Sequence, residues 1–133
     1  MPILTRLFAA KYESFPDTLA RTPRRPALRV VSGRTIVGSG ANRFEIYPFR
    51  TASSERQMMI YWPAHQLLYT SDLFTISDGQ VFLPQQVAEA VEAAAREHLA
   101  VATAFGMHYD PLPWATVVDS AAPPPRAAGS DGR

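Results

Sequence analysis

Gln57-Met-Met-Ile-Tyr-Trp-Pro-Ala-His-Gln-Leu-Leu-Tyr-Thr-Ser-Asp-Leu-Phe74 decides the reading of this chain. Gln57–Trp62 and Gln66–Thr70 are apolar runs of strand length. Pro63-Ala64-His65 lies between them as the turn of a hairpin. The runs are apolar on consecutive residues rather than alternate ones. That pattern predicts strands covered on both faces, with a helical layer over the sheet. Asp72 then follows the second strand. A carboxylate there either caps the turn by accepting its N–H groups or serves as a metal ligand.

Working outward from the hairpin, Arg43–Phe49 alternates. Phe44, Ile46 and Pro48 share one face, Glu45, Tyr47 and Phe49 the other. It reads as a strand with Pro48 at an edge or end. Ala27–Val31 and Arg34–Val37 flank Ser32-Gly33 and predict a second hairpin. Gly38–Asn42 is a loop. On the other side, Ser77-Asp78-Gly79 signals a turn. Pro84–Phe105 reads as the one long helix, opened by Pro84 and closed by Gly106 at C′. Val87, Val91, Ala94, Ala95, Leu99 and Ala102 form its apolar stripe. Pro113–Val118 begins a short last helix. Residues 3–12 form a short amphipathic helix. Residues 120–133 carry too little apolar surface to order themselves and are expected to be a disordered tail.

Composition bounds the function. The chain has 133 residues, 47% hydrophobic and 19% charged, which suits a single globular domain. The absence of cysteine excludes disulfides, thiolate metal sites and cysteine nucleophiles, and fits a reducing cytoplasm. No window approaches the ~20 apolar residues of a membrane helix, and no signal peptide is visible. Residues 1–56 hold ten Lys/Arg against four Asp/Glu; residues 57–133 hold three against eight. The basic group Arg21, Arg24, Arg25, Arg29 and Arg34 is interrupted by Pro23 and Pro26 and lacks interleaved aromatics. It reads as solvated loop charge, not a nucleic-acid surface. Gly38-Ser39-Gly40 has no following Gly-Lys-Ser/Thr, and Ser53-Ser54 has no Gly-x-Ser-x-Gly setting, so neither a phosphate loop nor a nucleophile elbow is present.

Three histidines remain. His65 lies in the hairpin turn and His98 at the edge of the helical stripe. His108 follows Gly106-Met107, shortly before Pro113-Trp114. The order strand, hairpin, strand, Asp72, helix, Gly-x-His, Pro-Trp resembles the C-terminal half of the metallo-β-lactamase-fold hydrolases. Coverage runs from about Phe44 to Val118, and Val101–Trp114 looks like that family's closing strand and loop. The resemblance implies α/β architecture: half of an αββα sandwich, a mixed sheet with one long covering helix, over residues 1–119. It matches Asp72 to the family's metal-bridging Asp and His108 to its last metal-binding His. The cofactor it implies is zinc.

Two departures limit what that resemblance carries. The family's His-x-His-x-Asp-His motif has no counterpart, and the chain is expected to start after the point where it lies. The family also places a His between the strands Phe44–Phe49 and Gln57–Trp62. Here Ser53 or Ser54 occupies that place, and a neutral hydroxyl is a poor zinc ligand. Glu55 and Arg56 are candidates for a structural replacement of the metal. Two ligands do not make a catalytic zinc site, which needs three plus an open position. The expectation is therefore a hydrolase fragment or degenerate homologue. Zinc is weak or absent in it, and hydrolysis of an ester, amide or thioester is not sustained by this chain alone. The alternative is a non-catalytic α/β module that self-associates through an exposed sheet face. Expected partners are a second copy or a complementing N-terminal half, with no nucleic acid and no membrane.

Overall fold

The computed structural model describes residues 2–10, 14, 18–22, 27–52 and 55–121. The chain divides into two compact units, Met1–Val30 and Val31–Arg133. The first holds α1 (Pro2–Ala9) and the four-residue α2 (Thr18–Arg21). The expected helix over 3–12 is present as α1, and Ile3, Leu4, Leu7 and Phe8 on it are exposed. Residues 11 and 12 of that expectation, and residues 122–133 of the expected tail, lie outside the described residues; Ser120 and Ala121 of the expected tail are helical.

In the second unit the strands are β1 (Thr35–Val37), β2 (Phe44–Phe49), β3 (Gln57–Trp62), β4 (Leu67–Tyr69), β5 (Thr75–Ser77), β6 (Gln80–Phe82), β7 (Thr103–Gly106) and β8 (Tyr109–Pro113). The helices are α3 (Pro84–Arg96) and α4 (Trp114–Ala121). Six strands form one mixed sheet in the order β1-β2-β3-β4-β7-β8; β5 and β6 pair separately as a hairpin. The β4–β7 pair is parallel and the other ladders of the large sheet are antiparallel. A parallel pair needs a crossover connection, and α3 supplies it. Pro48 is tolerated because β1 pairs with β2 only as far as Ile46.

Burial divides the sheet by face. Glu45, Tyr47, Phe49, Met59, Tyr61, Leu68 and Ala104 point into the core, with Val87, Ala90, Ala93 and Ala94 of α3 and Val117 of α4. Each large side chain fully buried there contributes roughly 1.5–3 kcal/mol. The opposite face of the same strands carries no fully buried residue. This corrects the expectation of strands covered on both faces. The strands are apolar on both sides, yet α3 and α4 cover only one.

Three further expectations are corrected. The long helix does not reach Phe105; it stops at Arg96. His98, with φ +53°, takes the left-handed C′ position. His98 N–H donates to Ala95 O and Leu99 N–H to Ala94 O, both at 3.0 Å, which is a Schellman closure. Gly106 accordingly ends no helix but lies in β7. Residues 27–31 form no strand; Thr35–Val37 pairs instead with β2. The turn at Asp78-Gly79 proves to join β5 and β6.

Candidate functional site

The parallel strands β4 and β7 run side by side, and both candidate ligands follow their carboxyl ends. In open α/β sheets that end is where ligands bind. Leu67, Leu68 and Tyr69 pair with Thr103, Ala104 and Phe105. The paired register ends at Tyr69 and Phe105, and Asp72 and His108 each lie in the turn that follows. Two backbone bonds extend the ladder toward them: Thr70 N–H donates to Phe105 O at 3.0 Å, and Met107 N–H to Ser71 O at 2.8 Å.

Beneath these positions the support is dense. Thr70, Leu73 and Phe74 are buried around the exposed Asp72. The Tyr109 ring stacks on Phe74, centroids 5.1 Å apart, and its hydroxyl meets Thr70 Oγ1 at 2.7 Å. Burial pushes the Tyr109 hydroxyl up to about 12, against a smaller opposing effect of the Thr70 bond. Gly106 permits the close approach. A Cβ there would lie 2.4 Å from a Tyr109 ring carbon and 2.9 Å from Ser71 O. Met107 and His108 form the two-residue connection between β7 and β8, bracketed by the Gly106–Tyr109 pair.

At the side-chain level the two candidates keep different company. Asp72 is exposed and accepts a 3.2 Å bond from Ser71 Oγ. His108 is exposed and lines an open groove of about 550 Å³ with Asp78, Asp110 and Ser77; Asp72 is not part of its wall. Sequence reasoning did not single out Asp78 or Asp110, which the β5–β6 hairpin and β8 bring to this groove. Among the described residues no group of three or more His, Asp or Glu is placed to hold a metal ion. The donor set described here therefore does not fit a catalytic zinc. Ser53 and Ser54 lie outside the described residues. Glu55 and Arg56 are exposed, as is His65 in its 3-10 turn.

A second polar centre lies at the other end of the parallel strands. Glu45 is 2% exposed in an otherwise apolar face. Arg34 grips it bidentately, Nε to Oε2 at 3.0 Å and Nη2 to Oε1 at 2.8 Å. Arg43 Nη2 and the Tyr47 hydroxyl also donate to it. The Arg34 bond leads in pulling the Glu45 carboxyl from 4.5 to about 2, against the cost of burial. Burial first, and the neighbouring carboxylate second, push Tyr47 up to about 12. The Arg34 guanidinium lies 6.0 Å from the Tyr47 ring centroid. Tyr61, raised by burial, donates to Ala100 O at 2.7 Å. Arg34 is thus an anchoring charge, not the idle loop cation its sequence setting suggests. The one hint in the sequence is a lone acidic residue facing the same way as Tyr47 and Phe49.

No protein-family model matches the chain, and no curated protein matches it. Among solved structures, that of TMB-1, a metallo-β-lactamase, matches with a TM-score of 0.50 at 12% identity, over 77% of this chain and 50% of that one. The chain spans about half the length of that structure. At this identity the likeness concerns fold: a mixed sheet with helices, resembling the metallo-β-lactamase fold. No helix among the described residues is long and apolar enough to cross a membrane.

Proposed function

We propose that this chain is one half of a metallo-β-lactamase-like αββα scaffold, and that by itself it does not sustain metal-dependent hydrolysis. Asp72 and His108 are the residues we assign as remnant metal ligands, one after each strand of the parallel pair. The observation that carries the reading is the parallel β4–β7 pair, after whose carboxyl ends Asp72 and His108 follow, in a unit where no group of three or more His, Asp or Glu among the described residues is placed to hold a metal ion. A two-ligand site neither fixes zinc firmly nor brings its water near neutral pKa, since catalytic zinc sites hold three protein ligands. The cysteine-free composition suits a reducing cytoplasm. Calorimetric titration of the purified chain with zinc tests the proposal. Binding weaker than about 10 µM is expected, and sub-micromolar binding overturns it, because the affinities of structural zinc sites are far higher.

A second reading is favoured by the apolar sheet face turned away from α3 and α4, on which no residue is fully buried. It treats the chain as a non-catalytic α/β module that associates with a copy of itself.

A further inference from the structure

A cleft that shares no residue with the groove of His108 opens between the β2–β3 loop and the start of α3. Its volume is about 510 Å³, and Ala52, Leu83, Pro84, Gln85, Gln86 and Glu89 line it. Pro84 opens α3, and Leu83 before it stands at φ +63° and ψ +56°, in the left-handed region, with no side chain capping the helix. A leucine held there is strained, and such strain collects where a fold clamps a ligand. The Leu83 side chain is 54% exposed, so the rim of the cleft is apolar. Glu89 lies in the second turn of α3 and reaches the loop, where its Oε1 accepts the Ala52 N–H at 2.8 Å. Its Oε2 is buried and has no hydrogen-bond partner. A carboxylate oxygen left in that state bears the full cost of desolvation, which a charged donor offsets.

We propose that this cleft binds a small molecule carrying a primary ammonium group on an apolar stem. The ammonium donates to Glu89, and the stem lies against Leu83 and Pro84. Several observations favour that chemistry. Only a donor satisfies the unpartnered carboxylate oxygen, and a cationic donor does so most strongly. The Ala52 bond holds the carboxylate in place before a ligand arrives, so little ordering is lost on binding. The surrounding charge has the right sign. Residues 57–133 hold three Lys/Arg against eight Asp/Glu, and Glu92, three residues on from Glu89, stands on the same side of the helix. The cleft also falls within the ~300–1,000 Å³ of small-molecule sites. Leu83 and Gln85 are exposed at its rim, and rotamer changes of such side chains are fast, which admits the ligand to the buried oxygen.

Titration of the nitrogen-labelled full chain with n-butylamine near neutral pH, where an alkyl amine is protonated, tests this by the amide shifts in NMR. The Ala52, Gln85 and Gln86 amides should move together and saturate, with a Kd of about 1–10 mM, the range open to so small a ligand. n-Butanol has the same stem without the charge and should bind roughly tenfold more weakly or worse. The same loss is expected for n-butylamine with Glu89→Gln, which keeps an oxygen for the Ala52 N–H. Glu92→Gln, which removes a charge outside the cleft wall, should stay within about threefold of wild type. Thermal melts establish that the variants fold. Should Glu89→Gln fail to do so, the comparison of amine with alcohol on the wild-type chain decides alone. The absence of saturable shifts at these amides overturns the proposal. Equal binding of the alcohol also overturns it, as the pattern of an oxygen already satisfied by water, and so does unaltered amine binding to a folded Glu89→Gln.

Discussion

Glu45→Gln removes the charge that holds one end of the sheet while keeping the side chain's shape. Arg34, Arg43 and Tyr47 all donate to this carboxylate, which is 2% exposed. Its fall from 4.5 to about 2, at about 1.4 kcal/mol per pKa unit, corresponds to roughly 3 kcal/mol of preference for the ionised form in the folded state. The Arg34 side chain is 52% exposed, so solvent screens the pair. Allowing for that screening, the loss at neutral pH is about 1.5–2 kcal/mol, a drop in Tm of roughly 6–12 °C for a unit of this size. The pH dependence has a definite sign. A carboxyl whose folded pKa is depressed stabilises fully above its unfolded value, here about 4.5. It loses that contribution as pH falls through the folded value near 2. The gap in Tm between wild type and Glu45→Gln should therefore be constant from about pH 5.5 to 8 and shrink steadily below about pH 4.5. Circular-dichroism melts across that range read it directly. A gap under 2 °C at neutral pH, or one that persists unchanged at pH 2.5, refutes the reasoning.

Two other substitutions test the supports of the candidate site and the helix end. Gly106→Ala drives a Cβ to 2.4 Å from the Tyr109 ring and 2.9 Å from Ser71 O, one of them backbone that cannot yield cheaply. It should cost about 2–3 kcal/mol, and a chemical-denaturation midpoint equal to wild type would contradict the packing described. His98→Gly places the permissive residue at φ +53°. It should stabilise the chain by roughly 0.5–1 kcal/mol, since a side chain in that region is strained; a lowered Tm would show that His98 makes a compensating interaction.

Particular residues show what the sequence made legible. The hairpin Gln57–Tyr69 and the strand Phe44–Phe49 appear where apolar runs and alternation place them, and the turn falls at Pro63–His65. The end of α3 was hidden because Leu99 and Ala102 continue its apolar period without a Gly or Pro. The stop is a backbone event at His98, whose side chain gives no warning. Thr103–Gly106 has too few β-branched residues to declare a strand by composition, and only the family resemblance placed a closing strand there. Strands apolar on two faces looked doubly covered; sequence records a side chain's polarity, not which partner is present. The Glu45 centre was illegible for a related reason. Arg34 and Glu45 are eleven residues apart in sequence, and only the β1–β2 register, with Thr35 opposite Ile46, brings them together. At the candidate site, that Asp72 and His108 each follow the carboxyl end of a neighbouring strand depends on β4 and β7 being parallel. The groove that joins His108 to Asp78 and Asp110 depends on a hairpin the sequence signalled only as a turn.

Zinc titration of the nitrogen-labelled chain, followed by NMR, bears most directly on the claim that Asp72 and His108 are an insufficient remnant of a metal site. The account predicts that the His108 ring and the Asp72 amide shift together, in fast exchange, and approach saturation only well above about 10 µM zinc. Saturation below micromolar zinc, or shifts confined to His65 or His98, would contradict it.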